Sequence, residues 1–267
     1  MGAILIINQI LFELSNEERL RIFKALFNEK KKHSDLEQEL NLPGSEISRH
    51  LKRLNESHLI RKSLNHQYSI TNLGKIFYQL LDIFEVSIKL REFFNTHSIS
   101  MIPMELMLQL GSLKTIEIGI KTIQNLELRE ELIKNAEKVI FITMDQIQSS
   151  IIPVIESNIQ NNSMDIRILV DKSNLILEEN NALDTLNQQN SLNSFINEDL
   201  ANKSKVYDKN LEFSLLVTDK GAMLFLEKDG EIDYNQCLID NNESFIDWTS
   251  ELFDYYWLKG TQYRNEV

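Results

Sequence analysis

Between positions 45 and 75 the chain carries six basic side chains, Arg49, Lys52, Arg53, Arg61, Lys62 and Lys75, against two acidic ones, Glu46 and Glu56. A local charge of +4 at that density is suited to phosphate, because the sign of the contacting face and not of the whole molecule decides what is attracted. Other chemistries have fewer residues to work with. All five histidines, His33, His50, His58, His66 and His97, lie at or before position 97. Residues 98–267 therefore offer no Ser/His/Asp triad, no histidine metal site and no His-x-Lys phosphodiesterase motif. The single cysteine, Cys237, excludes an internal disulfide framework and a thiolate cluster for metal, and fits a reducing compartment. Gly111, Gly119, Gly221, Gly230 and Gly260 stand isolated, so neither a P-loop nor a dinucleotide fingerprint is present and no cofactor is implied. Asp145 and Asp171 each follow a predicted strand, where α/β folds place ligand-binding residues; helix capping is the competing use of both.

The basic residues need elements to position them. Ser15 and Glu18 read as a capping box, with Leu20, Phe23, Leu26 and Phe27 at helical spacing behind it, and Lys30-Lys31-Lys32 suits the last turn of that helix. Ser34 and Glu37 repeat the box before Leu36 and Leu40, and Asn41-Leu42-Pro43-Gly44 is a turn signal. Ser45 then caps a third helix with Ile47, Leu51 and Leu54 on one face and Glu46, Ser48, Arg49, Lys52 and Arg53 on the other. His50 is expected on the surface or at a cap. The runs 58–63 and 67–71 read as a hairpin joined at Leu64-Asn65-His66. Helix, turn, helix and basic hairpin together make a winged helix-turn-helix. A helix about 10–12 Å across fits the major groove of B-DNA, and turn and wing hold register on phosphates. Leu73, Ile76, Phe77, Leu80, Leu81, Phe84 and Ile88 continue as an apolar stripe wider than one small domain covers, which suggests a dimer helix.

Further on the period changes. Pro103 opens a short helix, Met104 to Leu110, closed by Gly111. Val139–Thr143, a helical pattern over 147–159 and Ile166–Val170 form a βαβ unit with parallel strands. Phe213–Val217 and Ala222–Leu226 add a hairpin through Thr218-Asp219-Lys220-Gly221, and Glu243–Leu258 is a final helix with Phe245, Trp248, Leu252, Phe253 and Tyr256 inward.

A length of 267 residues suggests two domains, and 42% hydrophobic with 25% charged residues is an ordinary globular composition. The charge is divided unevenly: residues 1–100 carry fourteen basic and twelve acidic side chains, residues 101–267 fourteen and twenty-eight, which gives +2 and −14 of the net −12. The apolar run at Ala3–Ile7 has no basic flank and is too short for a signal core or a membrane span, and Ile6 stands where a myristoylation motif needs Ser or Thr, so a cytoplasmic location is expected.

The segments 35–40 and 45–54, then Leu59-Ile60, Tyr68-Ser69-Ile70-Thr71 and Leu73-Gly74, resemble the ArsR-like winged-helix regulators over roughly 15–80. Those regulators usually carry Gly before the Leu that opens the first wing strand; here His58 must take the tight turn, and His tolerates a positive φ. Their metal-sensing role does not carry over, since this region has no Cys. Ser100–Leu106, Val139–Thr143 with Asp145-Gln146, and Phe245–Trp257 resemble an archaeal regulator family named for methanogenesis and filament growth, in which a winged helix precedes a domain related in fold to phospholipase D. That resemblance implies a sensing or partner domain without phosphodiesterase chemistry.

The expectation is an α+β and α/β chain of two domains: a winged helix-turn-helix with its dimer helix over 1–98, and an α/β sensor domain with a mixed, partly parallel sheet over 99–267. It would act as a homodimeric, sequence-specific transcription regulator on double-stranded DNA, not as an enzyme, and would answer to a small-molecule or protein effector. Ser45, Glu46, Ser48, Arg49, Lys52 and Arg53 would enter the groove, with Arg61, Lys62 and His66 on the wing and Asp145 and Asp171 as effector-site candidates. Arg49→Ala with Arg53→Ala would then remove binding and leave the unfolding midpoint in place. Two alternatives stay open: a metal-dependent phosphoester-acting enzyme that uses Asp145 and Asp171, and a winged helix used for protein contacts.

Overall fold

The computed structural model describes residues 2–144, 155, 164–172 and 201–263. Its contacts divide the chain into two units, Met1–Phe84 and Glu85–Val267.

The first unit contains α1 (Gly2–Leu14), α2 (Glu17–Ala25), β1 (Lys31–Lys32), α3 (His33–Leu40), α4 (Gly44–Glu56), β2 (Ile60–Lys62), β3 (Gln67–Ile70) and most of α5 (Asn72–Lys89). Its core is one apolar cluster in which Ile22, Phe23, Leu36, Ile47, Leu54 and Leu59 are fully buried. These residues recur at helical spacing on α2, α3 and α4, so each helix buries one stripe and leaves the opposite face wet. Three details differ from the sequence reading. Ser15 is not the cap of α2: Asn16 is, its side chain accepting from the Arg19 amide at 3.0 Å, while Ser15 donates back to the Phe12 carbonyl in the last turn of α1. The Ser34/Glu37 box is not used either; α3 begins at His33, and Asp35 accepts from the Lys32 amide at 2.8 Å. Lys31 and Lys32 do not close a helix but pair with Tyr68 and Gln67, adding a third strand in the order β1-β3-β2. Strand pairing overrides the propensity of two lysines because the β3 edge supplies the ladder.

His58 takes the turn into β2 with φ 60°, as expected of a residue in the glycine place. Gly74 has a steric reason of its own. A Cβ there would lie 2.2 Å from the Leu59 carbonyl oxygen and 2.6 Å from Ile70, so the first turn of α5 can seat against the β2–β3 hairpin only without a side chain.

The second unit is built on a nine-stranded mixed sheet. Its elements are α6 (Arg91–Phe94), α7 (Met104–Met107), β4 (Glu117–Gly119), α8 (Thr122–Asn135), β5 (Val139–Met144), β6 (Asp165–Asp171), β7 (Ser204–Tyr207), β8 (Phe213–Thr218), β9 (Gly221–Lys228), β10 (Glu231–Ile232), β11 (Cys237–Asp240), α9 (Glu243–Trp257) and β12 (Thr261–Gln262). Strands run in the order β12-β7-β6-β5-β8-β9-β11-β4, with β10 on β9; β5, β6 and β7 are parallel and the other pairs antiparallel. The expected β5–β6 parallel pair and β8–β9 hairpin are both present. The predicted helix over 147–159 lies outside the described residues apart from Ile155, which is helical and buried. Pro103 precedes α7 as expected, but the helix ends at Met107 and Gly111 falls in a separate 3-10 turn, Leu110–Ser112. On α9 the five residues expected inward are all buried, and Trp248 donates to the Leu106 carbonyl at 2.9 Å.

Asp219 fixes the β8–β9 turn to the start of β5 by accepting from the Glu137 and Lys138 amides, both at 2.9 Å. Burial alone would raise its pKa, but those amides, the Val139 amide and Lys220 more than offset it and hold it at about 2. Because the folded pKa lies below the ordinary 3.8, the stabilisation is fully present above about pH 4 and is lost as the pH falls toward 2. Asp219→Asn is expected to cost about 2 kcal/mol at pH 7 and to flatten the acid limb of a urea-unfolding series. An unaltered acid limb would contradict this.

Candidate nucleic-acid interface

Asn41 closes α3 in the left-handed conformation (φ 51°), and Leu42-Pro43 turn the chain into α4, which begins at Gly44 and not behind Ser45. Ser45 therefore sits in the first turn, exposed. His33 clamps the two helices: its Nε2 lies 2.9 Å from both the Gly44 carbonyl and Ser48 Oγ. Ile47, Leu51 and Leu54 face the core as expected. On the outer face Arg49 and Lys52 are 65% and 77% exposed, and among the described residues their only ion-pair partners are Glu46 and Glu56 on the same helix at 3.8 Å. Pairs this loose and exposed contribute little, so both cations are available to another anion.

Two residues of α4 differ from the sequence reading. His50 is not at the surface but 2% exposed, with Nδ1 unpartnered among the described residues; burial, then the nearby Arg49 and Arg19, pushes its pKa down. Arg53 makes a bidentate pair with Glu13 of α1, at 2.9 Å through Nε and 2.7 Å through Nη2. The Glu13 side chain is 8% exposed and also meets buried Arg19 at 3.1 Å, and the Phe12 ring lies 5.3 Å from the Arg53 guanidinium. The hydrogen bond to Glu13 raises the Arg53 pKa, whereas burial lowers that of Arg19. Arg53 is thus tied to a buried carboxylate, and Arg53→Ala would disturb the fold as well as any phosphate contact.

The β2–β3 hairpin is antiparallel, Arg61 opposite Ser69 and Lys62 opposite Tyr68. Arg61 and Lys62 are exposed; Arg61 Nε is 3.4 Å from Ser69 Oγ, and the Lys62 ammonium lies 5.5 Å from the Tyr68 ring centre. The tip closes through the His66 amide to the Ser63 carbonyl at 3.1 Å, with His66 exposed at φ 56° and Leu64 fully in solvent. Of the nine residues predicted to meet DNA, Ser45, Ser48, Arg49, Lys52, Arg61, Lys62 and His66 are exposed, Glu46 and Arg53 half-buried. Glu13 and His33, which hold α4 in place, were missed. Glu13 gave a faint signal as the one charge within the apolar run 10–14.

In the second unit Asp171 is buried and accepts from the Leu211 amide at 2.6 Å, a bond that secures the approach to β8. Asp145 lies outside the described residues. Among the described residues no three His, Cys, Asp or Glu side chains converge as a metal site, and no helix is long and apolar enough to cross a membrane. Burial pushes the Cys237 thiol up to about 12, which leaves it inert as a nucleophile.

Residues 8–95 match the family model of the methanogenesis regulatory protein FilR1, N-terminal domain, and residues 128–259 match that of its middle domain. Both domains in this order define a regulatory protein. The chain is a FilR1-like regulator. No curated protein matches it. Among solved structures it is similar to TrmBL2, an archaeal chromatin protein, at 14% identity over 92% of this chain and 94% of that one, with a TM-score of 0.38. It is also similar to Nuc, a phospholipase D family member from Salmonella typhimurium, at 15% identity over 57% of this chain and 99% of that one, with a TM-score of 0.39.

Proposed function

We propose that the chain is a sequence-specific transcription regulator that binds double-stranded DNA as a homodimer. In this reading the first unit is a winged helix-turn-helix with α4 in the major groove, and the second is a phospholipase-D-like domain without catalysis that answers to an effector. The observation that carries the reading is the placement of Arg49, Lys52, Arg61 and Lys62 on a helix and an adjoining hairpin, all exposed, without a buried partner for the first two. A protein-contact use of the same face would need an acidic partner, whereas helix width and flanking cations together match a groove. Selection from a random duplex pool tests it: a two-fold symmetric motif with half-sites about one turn, roughly 34 Å, apart is expected, and a pool that stays unenriched contradicts it.

Support for the homodimer comes from apolar surface the first unit leaves uncovered. Ile6, Ile7, Leu11 and Phe12 on α1 and Ile76, Leu80 and Phe84 on α5 are each between 38% and 60% exposed, more than a soluble monomer normally leaves open on two helices. Ile76→Asp with Leu80→Asp is expected to give a monomer in sedimentation and to weaken operator binding at least about 100-fold, since one half-site is then bound alone. A double variant that still sediments as a dimer rules out this face.

A further inference from the structure

Arg129 is 2% exposed on α8, and among the described residues its Nε has no hydrogen-bond partner. Among the described residues it forms no ion pair. An arginine Nε held out of water without an acceptor is costly, and native chains normally pair such a group. Its position is defined by its neighbours. Asn125, Arg129 and Ile133 form the buried face of α8, which packs on β8 and β9. Ile133 clusters with Leu216 of β8, while Leu128 packs against a cluster containing Phe225 of β9, the cross-strand partner of Ser214. The α8 turn that carries Arg129 therefore lies over the stretch of sheet that includes Ser214. Ser214 is itself fully buried, with Oγ unpartnered among the described residues. Two unsatisfied donors thus occupy one apolar layer between α8 and the sheet.

We propose that Arg129 and Ser214 are the recognition pair for an oxyanion effector, a small molecule bearing a carboxylate or a phosphate. Such a group accepts from a guanidinium and a hydroxyl at once, and charge-assisted hydrogen bonds are the strong ones. The surrounding low dielectric makes them stronger still. This deepens the effector role given above to the second unit and rests on it.

The test is thermal unfolding of the full chain, without DNA, in chloride, inorganic phosphate or succinate at equal ionic strength and low millimolar anion. Phosphate or succinate is expected to raise the midpoint over chloride, saturably, by at least about 2 °C; which of the two acts tells a phosphate from a carboxylate ligand. Arg129→Met should abolish the shift and, in chloride, melt no lower than the wild type, because it removes an unpaired buried charge. Arg129→Lys keeps the charge without Nε and should lose most of the shift. The proposal is overturned if neither oxyanion differs from chloride, if the shift survives in Arg129→Met, or if Arg129→Met melts several degrees lower in chloride, which would mean the chain itself pairs the guanidinium. No duplex is present, so any of these results leaves the DNA-binding reading untouched.

Discussion

Arg49→Ala with Lys52→Ala is expected to weaken binding to a selected operator at least about 100-fold at physiological salt, while the unfolding midpoint stays within about 1 °C of the wild type. Both side chains are largely in water, and among the described residues each has only a 3.8 Å ion-pair partner on its own helix. The fold therefore loses almost nothing, and the interface loses two cations per protomer. In a dimer that removes four phosphate neutralisations, so the plot of log affinity against log salt should become shallower by about 3–4. Unaltered affinity in the double variant would place the contact surface elsewhere. Arg53, which the sequence alone groups with these two, is left out on purpose, because its bidentate pair with Glu13 mixes stability with recognition.

The second large effect is on stability and centres on Glu13. Its carboxylate lies between Arg19 and Arg53, and both it and Arg19 are nearly excluded from solvent. Glu13→Ala removes the anion and leaves the Arg19 guanidinium inside with, among the described residues, only the main-chain carbonyls of positions 13 and 12, at 2.7 and 2.9 Å, to satisfy it. Breaking a buried pair from one side costs about 3–5 kcal/mol, and urea unfolding of the first unit should show a loss of that size. Arg53→Met should cost about 1 kcal/mol or less, since Arg53 is 37% exposed and Glu13 keeps its second partner. Equal costs for the two substitutions would mean that the carboxylate is not the hub of the triad.

What could be read in the sequence follows from periodicity and length. Ile47, Leu51 and Leu54 against Arg49 and Lys52 form a helix pattern with a dry and a wet side, and α4 has that form. The left-handed turn at His58 was legible because few residue types tolerate it. By contrast, α1 shows no such pattern: Ile6, Ile7, Leu11 and Phe12 are apolar yet exposed, and the helix buries Ile10, Glu13 and Leu14 instead. Strands β1, β4 and β12 are two or three residues long and exist because a neighbouring edge pairs them, which composition does not report. The Glu13–Arg53 pair joins positions forty apart, and no local rule reveals such a contact.

The most direct measurement is the affinity of the wild-type chain for its selected duplex across a salt series. If Arg49, Lys52, Arg61 and Lys62 of two protomers each neutralise a phosphate, log affinity falls linearly with log salt at a slope of about −7. Affinity indifferent to salt, or no duplex bound even at low ionic strength, would contradict the account.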